Sequence, residues 1–370
     1  MNDVTDAPLS RAGLVPRPGI LSIAPYVGGE SAIAGHERVI KLASNESALG
    51  PSPVAVAAVR DAASDIHRYP DGHSSALRAA LARLHGLDAQ RIVCGAGSDE
   101  VIGLLCRAYA GPGDGVIYTR HGFLMYPIAA QAAGATPLAV AETNLTADVD
   151  AILAGVDAHT RIVFLANPNN PTGTYLPTAE LARLRAGLPD DVLLVIDAAY
   201  AEYIDRADYE GSFGLVEASD NVVVTRTFSK IYGLGGVRLG WGYCSEAVAD
   251  VLNRSRNPFN VSSLAQVAGL AALADGEFVA QAQAHNARWR AWLTEELRGL
   301  GLDVPESFCN FVLARFPDTA EADAADAHLK SRGIIVRRMG GYHLPEALRI
   351  TVGQEDELRA LVAALAEVLG

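Results

Sequence analysis

The chain has 370 residues, half of them hydrophobic and 20% charged, with 30 Lys and Arg against 43 Asp and Glu for a net charge of −13. The length exceeds one ordinary domain, and the apolar content can bury a large core, which excludes a disordered or collagen-like chain. A field of that sign repels nucleic acid and anionic membrane, so the expected partners are small molecules, with room for local basic pockets that hold anions.

Residues 1–44 read as an irregular arm punctuated by Pro and Gly. The arm mixes Asp3, Asp6, Arg11 and Arg17 and lacks the apolar stretch of a secretory signal. No run approaches the roughly 18 apolar residues of a membrane span, so a soluble, cytoplasmic protein is expected. Helical patterns follow over 53–65 and over 74–85, where Leu77, Leu81 and Leu84 share one face. Short Val- and Ile-rich runs at 91–94, 116–119, 161–166, 192–196 and 222–225 read as buried parallel strands. Helical stretches at 99–110, 126–133, 148–155 and 178–187 lie between most of them. That alternation predicts an α/β fold with a mostly parallel central sheet flanked by helices. Beyond it come a long helical region over 264–300 with a break near Asp275-Gly276, strands at 310–315 and 334–337, and helices at 324–332 and 355–369. The expected organisation is an arm over 1–44 that packs with the small domain or a partner subunit, a large domain over 45–260 and a smaller α+β domain over 261–370.

Cys94, Cys106, Cys244 and Cys309 form no C-x-x-C pair and sit in apolar runs, as reduced structural thiols do. The histidines are dispersed, and His67 and His73 flank a Tyr-Pro-Asp-Gly turn without zinc-ligand spacing, so no metal is expected.

In an open α/β sheet, ligands bind beyond the carboxyl ends of the strands. Those positions hold Gly95-Ala96-Gly97-Ser98-Asp99, then Asn167 to Gly173, then Asp197 with Tyr200, and then Thr227, Ser229 and Lys230 with Arg238 eight residues on. Each cluster has a plain alternative: a tight turn, a Pro-Asn turn, a helix N-cap at Asp197, a solvated surface lysine. Gly95-Ala96-Gly97 is not a dinucleotide fingerprint, because Glu100 stands where the third glycine belongs. Together the clusters specify one chemistry. A lysine that forms an imine, an acid that keeps a pyridinium charged and a helix N-terminus for a phosphate are what pyridoxal 5′-phosphate requires. On this view Tyr200 bonds the phenolic oxygen, and Arg238, Ser229, Thr227 and the Gly97 and Ser98 amides neutralise the phosphate.

With Asn170-Pro171-Thr172-Gly173, Asp197-x-x-Tyr200, Ser229-Lys230 and Arg238, the chain resembles the fold-type I pyridoxal-phosphate aminotransferases from about Pro18 to Leu369. Pro25-Tyr26, residues 41–46, Arg68-Tyr69-Pro70, residues 97–100 and residues 348–353 make it most similar to the histidinol-phosphate aminotransferases. The resemblance implies that Lys230 binds the cofactor and shuttles the proton, that Asp197 and Asn170 hold the ring nitrogen and phenolic oxygen, and that Tyr200 stands beside Asn170. It adds Phe123 stacked on the ring, with Gly97, Ser98 and Asp99 at the phosphate. Tyr69 would reach the cofactor of a neighbouring subunit in a homodimer with shared sites. Tyr26, Asn45, Arg337 and Arg349 would face the substrate, Arg337 or its neighbour Arg338 reading a phosphate. Two departures stand out: Asn45-Glu46-Ser47-Ala48 where many relatives have Asn-Glu-Asn-Pro, and Asp197-Ala198-Ala199-Tyr200 where Asp-Glu-Ala-Tyr is frequent. The implied activity is transfer of the amino group of L-histidinol phosphate to 2-oxoglutarate. The rivals are an aromatic amino-acid aminotransferase, a phospho-amino-acid decarboxylase and a non-catalytic regulator.

Overall fold

The structure, a computed structural model, describes residues 15–26, 28–36 and 38–370. The first 14 residues of the expected arm lie outside the described residues. Seven strands build the central sheet: β1 (Ile92–Gly95), β2 (Gly115–Thr119), β3 (Thr136–Val140), β4 (Thr160–Ala166), β5 (Leu193–Asp197), β6 (Val222–Thr227) and β7 (Gly240–Tyr243). Their spatial order is β1-β7-β6-β5-β4-β2-β3. Pairings from β6 across to β3 are all parallel, and β7 is antiparallel to both of its neighbours.

Alternate residues of each strand feed two cores, one per face. Ile92, Val163, Leu165, Leu194, Ile196, Val222 and Val224 point to one, and Val93, Val116, Ile162, Phe164, Val195 and Val223 to the other. Burial on both faces is why these strands read as nearly continuous apolar runs. Helices α1 (Pro53–Ala62) and α2 (Ser75–His85) contribute to the first core, and α3 (Ser98–Tyr109) and α4 (Met125–Ala133) to the second. Cys94, Cys106 and Cys244 are free and buried, and burial pushes each thiol up to about 12, so none offers a thiolate near neutral pH.

Several elements escape the sequence pattern, among them two sheet strands and a helix. β7 reads Gly-Trp-Gly-Tyr, whose glycines carry no strand signal. They are there for packing: a Cβ on Gly240 would collide with the Ser98 amide at the start of α3, and one on Gly242 would come within 3.0 Å of Val101. β3 contains Pro137 and is the edge strand, the one place where a missing ladder donor is tolerated. The third is a helix at Glu246–Ser255, N-capped by Ser245, for which the sequence pattern predicts no element.

The long helical region divides as expected at Asp275, whose carboxylate caps Gly276–Gly299 by accepting from the Phe278 amide. The helix expected over 324–332 begins earlier, at Thr319, because Asp318 caps it through the Glu321 amide. The strand expected over 334–337 is two short pieces. Ile334–Ile335 pairs in parallel with Ile40–Lys41 of the arm. Arg337–Arg338 joins a three-stranded antiparallel sheet with Phe311–Arg315 and Ala347–Thr351. Leu42 packs into the core of this smaller sheet with Trp289, Leu293, Val312 and Ile350.

Gly240→Ala is expected to lose about 1–3 kcal/mol of stability, the usual cost of overpacking. Gly276→Ala, at an open position, should leave the urea midpoint unchanged or slightly raised, and paired urea titrations check both.

Candidate active site

Because only β7 is reversed, the carboxyl ends of β1, β2, β4, β5 and β6 share one edge, and the residue that opens β7 lies there too. A cleft of about 300 Å³ opens on that edge. Lys230, Asp197, Tyr200, Asn170 and Phe123 line it, and so do Thr227, Ser229, Arg238, Ser98 and Asp99. Tyr26, Asn45, Arg337 and Arg349 line it as well.

Asp197 is the last residue of β5, not a helix cap. It is buried, with one oxygen accepting from Thr225 Oγ1 at 3.0 Å and the other from the Tyr126 hydroxyl at 2.9 Å. Burial lifts its pKa to about 6 against those two bonds. Lys230 follows β6 at the cleft floor, 5.6 Å from the Tyr200 ring centre. Burial and then the nearby Arg349 charge push its ammonium down to about 8. Lys41 and Lys330, the chain's other lysines, are ion-paired to Glu46 and to Glu30 and Asp326.

At the other end of the floor, Gly97 precedes α3 with φ +91° and provides no side-chain cap, so the first-turn amides of α3 are left for a ligand. A Cβ at Gly97 would occupy the place of the Arg238 guanidinium, which bonds Asp99 at 3.2 Å. The Thr227 hydroxyl donates to Ser229 Oγ at 3.0 Å. Amides, two hydroxyls and a guanidinium form a donor set suited to a phosphate. With an acid 33 residues before a softened lysine in sequence but across one cleft in space, the residues present fit pyridoxal phosphate.

Asn45 Nδ2 donates to Tyr200 Oη at 2.9 Å, so the phenol's own proton is left to donate elsewhere. The Asn45 amide is thereby engaged with Tyr200 and Thr351 even though the residue lines the cleft. Arg349, buried, donates to Asn170 Oδ1 and to the Ala43 carbonyl. A guanidinium only donates, so it fixes the Asn170 amide with its NH₂ as the remaining donor.

Of the two adjacent arginines, Arg337 lines the cleft and Arg338 pairs with Asp323 and bonds the Pro345 carbonyl. Alternation along a strand sends neighbours to opposite faces. Arg337 stands directly opposite Arg349 in the antiparallel register. Tyr69 is elsewhere: it is 84% exposed and stacked on Phe259 at 4.8 Å, outside the cleft of its own chain.

Three contributors were not singled out in the sequence. Thr225 could have been found from strand alternation, two residues before Thr227 on the same face. Tyr126 carries no local signal, because its partner Asp197 lies 71 residues away. Glu46 lines the cleft and pairs with Lys41 at 2.8 Å.

The sequence profile of the family described as aminotransferase class I and II matches residues 37–365. The chain is 62% identical to a histidinol-phosphate aminotransferase of Paramagnetospirillum magneticum over 96% of this chain and 98% of that one. Its identity to the one of Rhodospirillum rubrum is 58%, over 95% of each. The crystal structure of histidinol-phosphate aminotransferase from Sinorhizobium meliloti in complex with pyridoxal-5′-phosphate superposes with a TM-score of 0.88 at 30% identity, over 95% of this chain and 97% of that one.

A lysine amine is reactive only when deprotonated, so capture of pyridoxal phosphate by the apo-protein should speed up with pH and level off above about 8. Removing the Arg349 charge with Arg349→Gln relieves one of the two depressing influences, so the midpoint should move to higher pH. Stopped-flow absorbance across pH 6 to 10 measures both curves.

Proposed function

The chain belongs to the class I and II aminotransferases, which depend on pyridoxal phosphate, and from that membership we propose how its residues divide the work. The reaction is transfer of the amino group of L-histidinol phosphate to 2-oxoglutarate in two half-reactions, giving imidazole acetol phosphate and L-glutamate in histidine biosynthesis. The aromatic amino-acid aminotransferase reading is not favoured, given relatives at 54–62% identity over most of the chain.

Bound pyridoxal phosphate supplies an electron sink for the charge left when the substrate α-proton departs. Asp197 would hold the ring nitrogen protonated. Asn170 and Tyr200 would donate to the phenolic oxygen, and Phe123 would cover the ring face. Ser98, Asp99, Thr227, Ser229 and Arg238, with the Gly97 turn, would secure the phosphate. Lys230 would anchor the cofactor covalently, then carry the proton between the substrate α-carbon and the cofactor C4′. Residues 45–260 would thus hold the cofactor, and residues 261–370 would bring the substrate arginines to it.

The observation that carries the substrate reading is the cross-strand pair of Arg337 and Arg349 on the cleft wall. Two guanidiniums opposite each other on neighbouring strands concentrate positive charge at this part of the cleft, which attracts an anion. L-histidinol phosphate brings a phosphate and 2-oxoglutarate two carboxylates, all suited to a guanidinium fork. Phenylalanine offers one carboxylate and no second anion.

A second copy of the chain would complete the site. Tyr69 and Phe259, 84% and 44% exposed, stack on each other, and a homodimer contact there would carry Tyr69 toward the neighbouring cofactor phosphate.

Three measurements check these assignments. Adding L-histidinol phosphate without a keto acid should bleach the visible band of the holo-protein; a band bleached only by phenylalanine or tyrosine would redirect the substrate assignment. Arg337→Leu should lower kcat/KM for L-histidinol phosphate about 10- to 100-fold, the value of charged hydrogen bonds, and change little with phenylalanine. In sedimentation velocity the protein should run as two chains, and Phe259→Asp should shift it toward one.

A further inference from the structure

We propose that Tyr126 is a positioning residue that, with Thr225, keeps Asp197 ionised and aimed at the cofactor ring, so that its hydroxyl controls how tightly the cofactor is held. The proposal rests on Asp197 serving as the partner of the ring nitrogen.

The geometry is specific. Tyr126 lies on α4, is 1% exposed and takes no part in the cleft wall. Its hydroxyl reaches Asp197 Oδ2 at 2.9 Å, while Thr225, the register partner of Asp197 on β6, reaches Oδ1 at 3.0 Å. A carboxylate that accepts a hydrogen bond on each oxygen is held in one orientation, with further lone pairs left for the cleft. Both donors favour the ionised form. They oppose the burial that alone would drive the carboxyl toward its neutral state, in which it could not hold a pyridinium.

The phenol is suited to that task because it cannot move or ionise easily. Its ring stacks on Phe164 of β4 at 4.7 Å with planes 1° apart, and the edge of Phe123 closes it at 5.8 Å. Burial, followed by the Asp197 charge, drives its pKa far upward, so it remains a donor at every working pH. The other charged groups acting on Asp197 are Asp99 from α3, which disfavours its ionised form, and Lys230 after β6, which favours it. Neither is hydrogen-bonded to it among the described residues, so orientation is left to Tyr126 and Thr225.

Tyr126→Phe deletes the hydroxyl and keeps the ring stack. Pyridoxal phosphate is titrated into apo-protein of wild type, Tyr126→Phe, Asp197→Asn and the double variant, with the dissociation constant read from protein fluorescence. Tyr126→Phe should weaken binding about tenfold, as loss of a buried charged hydrogen bond does. Asp197→Asn should weaken it further, and adding Tyr126→Phe to Asp197→Asn should change little, because the hydroxyl then has no carboxylate to act through. Thr225→Val, close in shape, should give a smaller loss that also vanishes in the Asp197→Asn background. Equal losses from Tyr126→Phe in both backgrounds would make its role purely structural and overturn the proposal. So would unchanged affinity of Tyr126→Phe beside a weakened Asp197→Asn. If Asp197→Asn itself bound normally, the role of Asp197 would fall first and the proposal with it.

Discussion

A buried carboxylate and a half-buried amine on the same sheet edge, kept from pairing with each other, set the terms for this cleft. Among the described residues no ion pair joins Asp197 and Lys230, and burial pushes both toward their neutral forms, to about 6 and about 8. Such an arrangement is costly in an isolated protein, since neither charge is ion-paired by the other. A ring with a protonatable nitrogen at one end and an electrophilic carbon at the other relieves both at once. On the proposed reading, the same burial that strains the free protein would favour such a ring and ready the lysine as a nucleophile.

The scaffold serves that separation. Parallel strands deliver Asp197, Asn170, Ser98 and Lys230 to one edge, and the single reversed strand returns Arg238 to it. Glycines at 97 and 240 allow the start of α3 to lie against β7 with Arg238 close by, which compacts the anion cradle. From the far side, the smaller antiparallel sheet presents Arg337 and Arg349 in register, and Arg349 links it to the large sheet through Asn170. Phe311 of the same small sheet meets the Tyr200 ring edge-on at 5.4 Å, and Thr351 bonds Asn45, itself a donor to Tyr200, so the two sheets meet at the cleft through several contacts.

Much of this was legible in the sequence because it is local. Apolar runs ending in polar residues marked β1, β4, β5 and β6, and the residues just beyond them are the cleft floor. What was not legible is either unlike its class or long-range. β7 hides behind glycines that packing requires, and β3 behind a proline that only an edge tolerates. Arg337 and Arg338 are equivalent as letters, and only the pairing with Ala347–Thr351 tells which faces the cleft. Tyr126 reads as an ordinary core residue at the start of a helix, since nothing near it in sequence announces Asp197. Tyr69 was assigned to the cofactor through resemblance alone, and within one chain it points to solvent.

On the proposed reading, the cofactor is attached at the softened lysine on the cleft floor. Borohydride reduction of the holo-protein followed by peptide mass mapping tests it directly, because the sequence offers only Lys41, Lys230 and Lys330. One phosphopyridoxyl group per chain is expected, on Lys230. A label on Lys41 or Lys330 with Lys230 unmodified would contradict it.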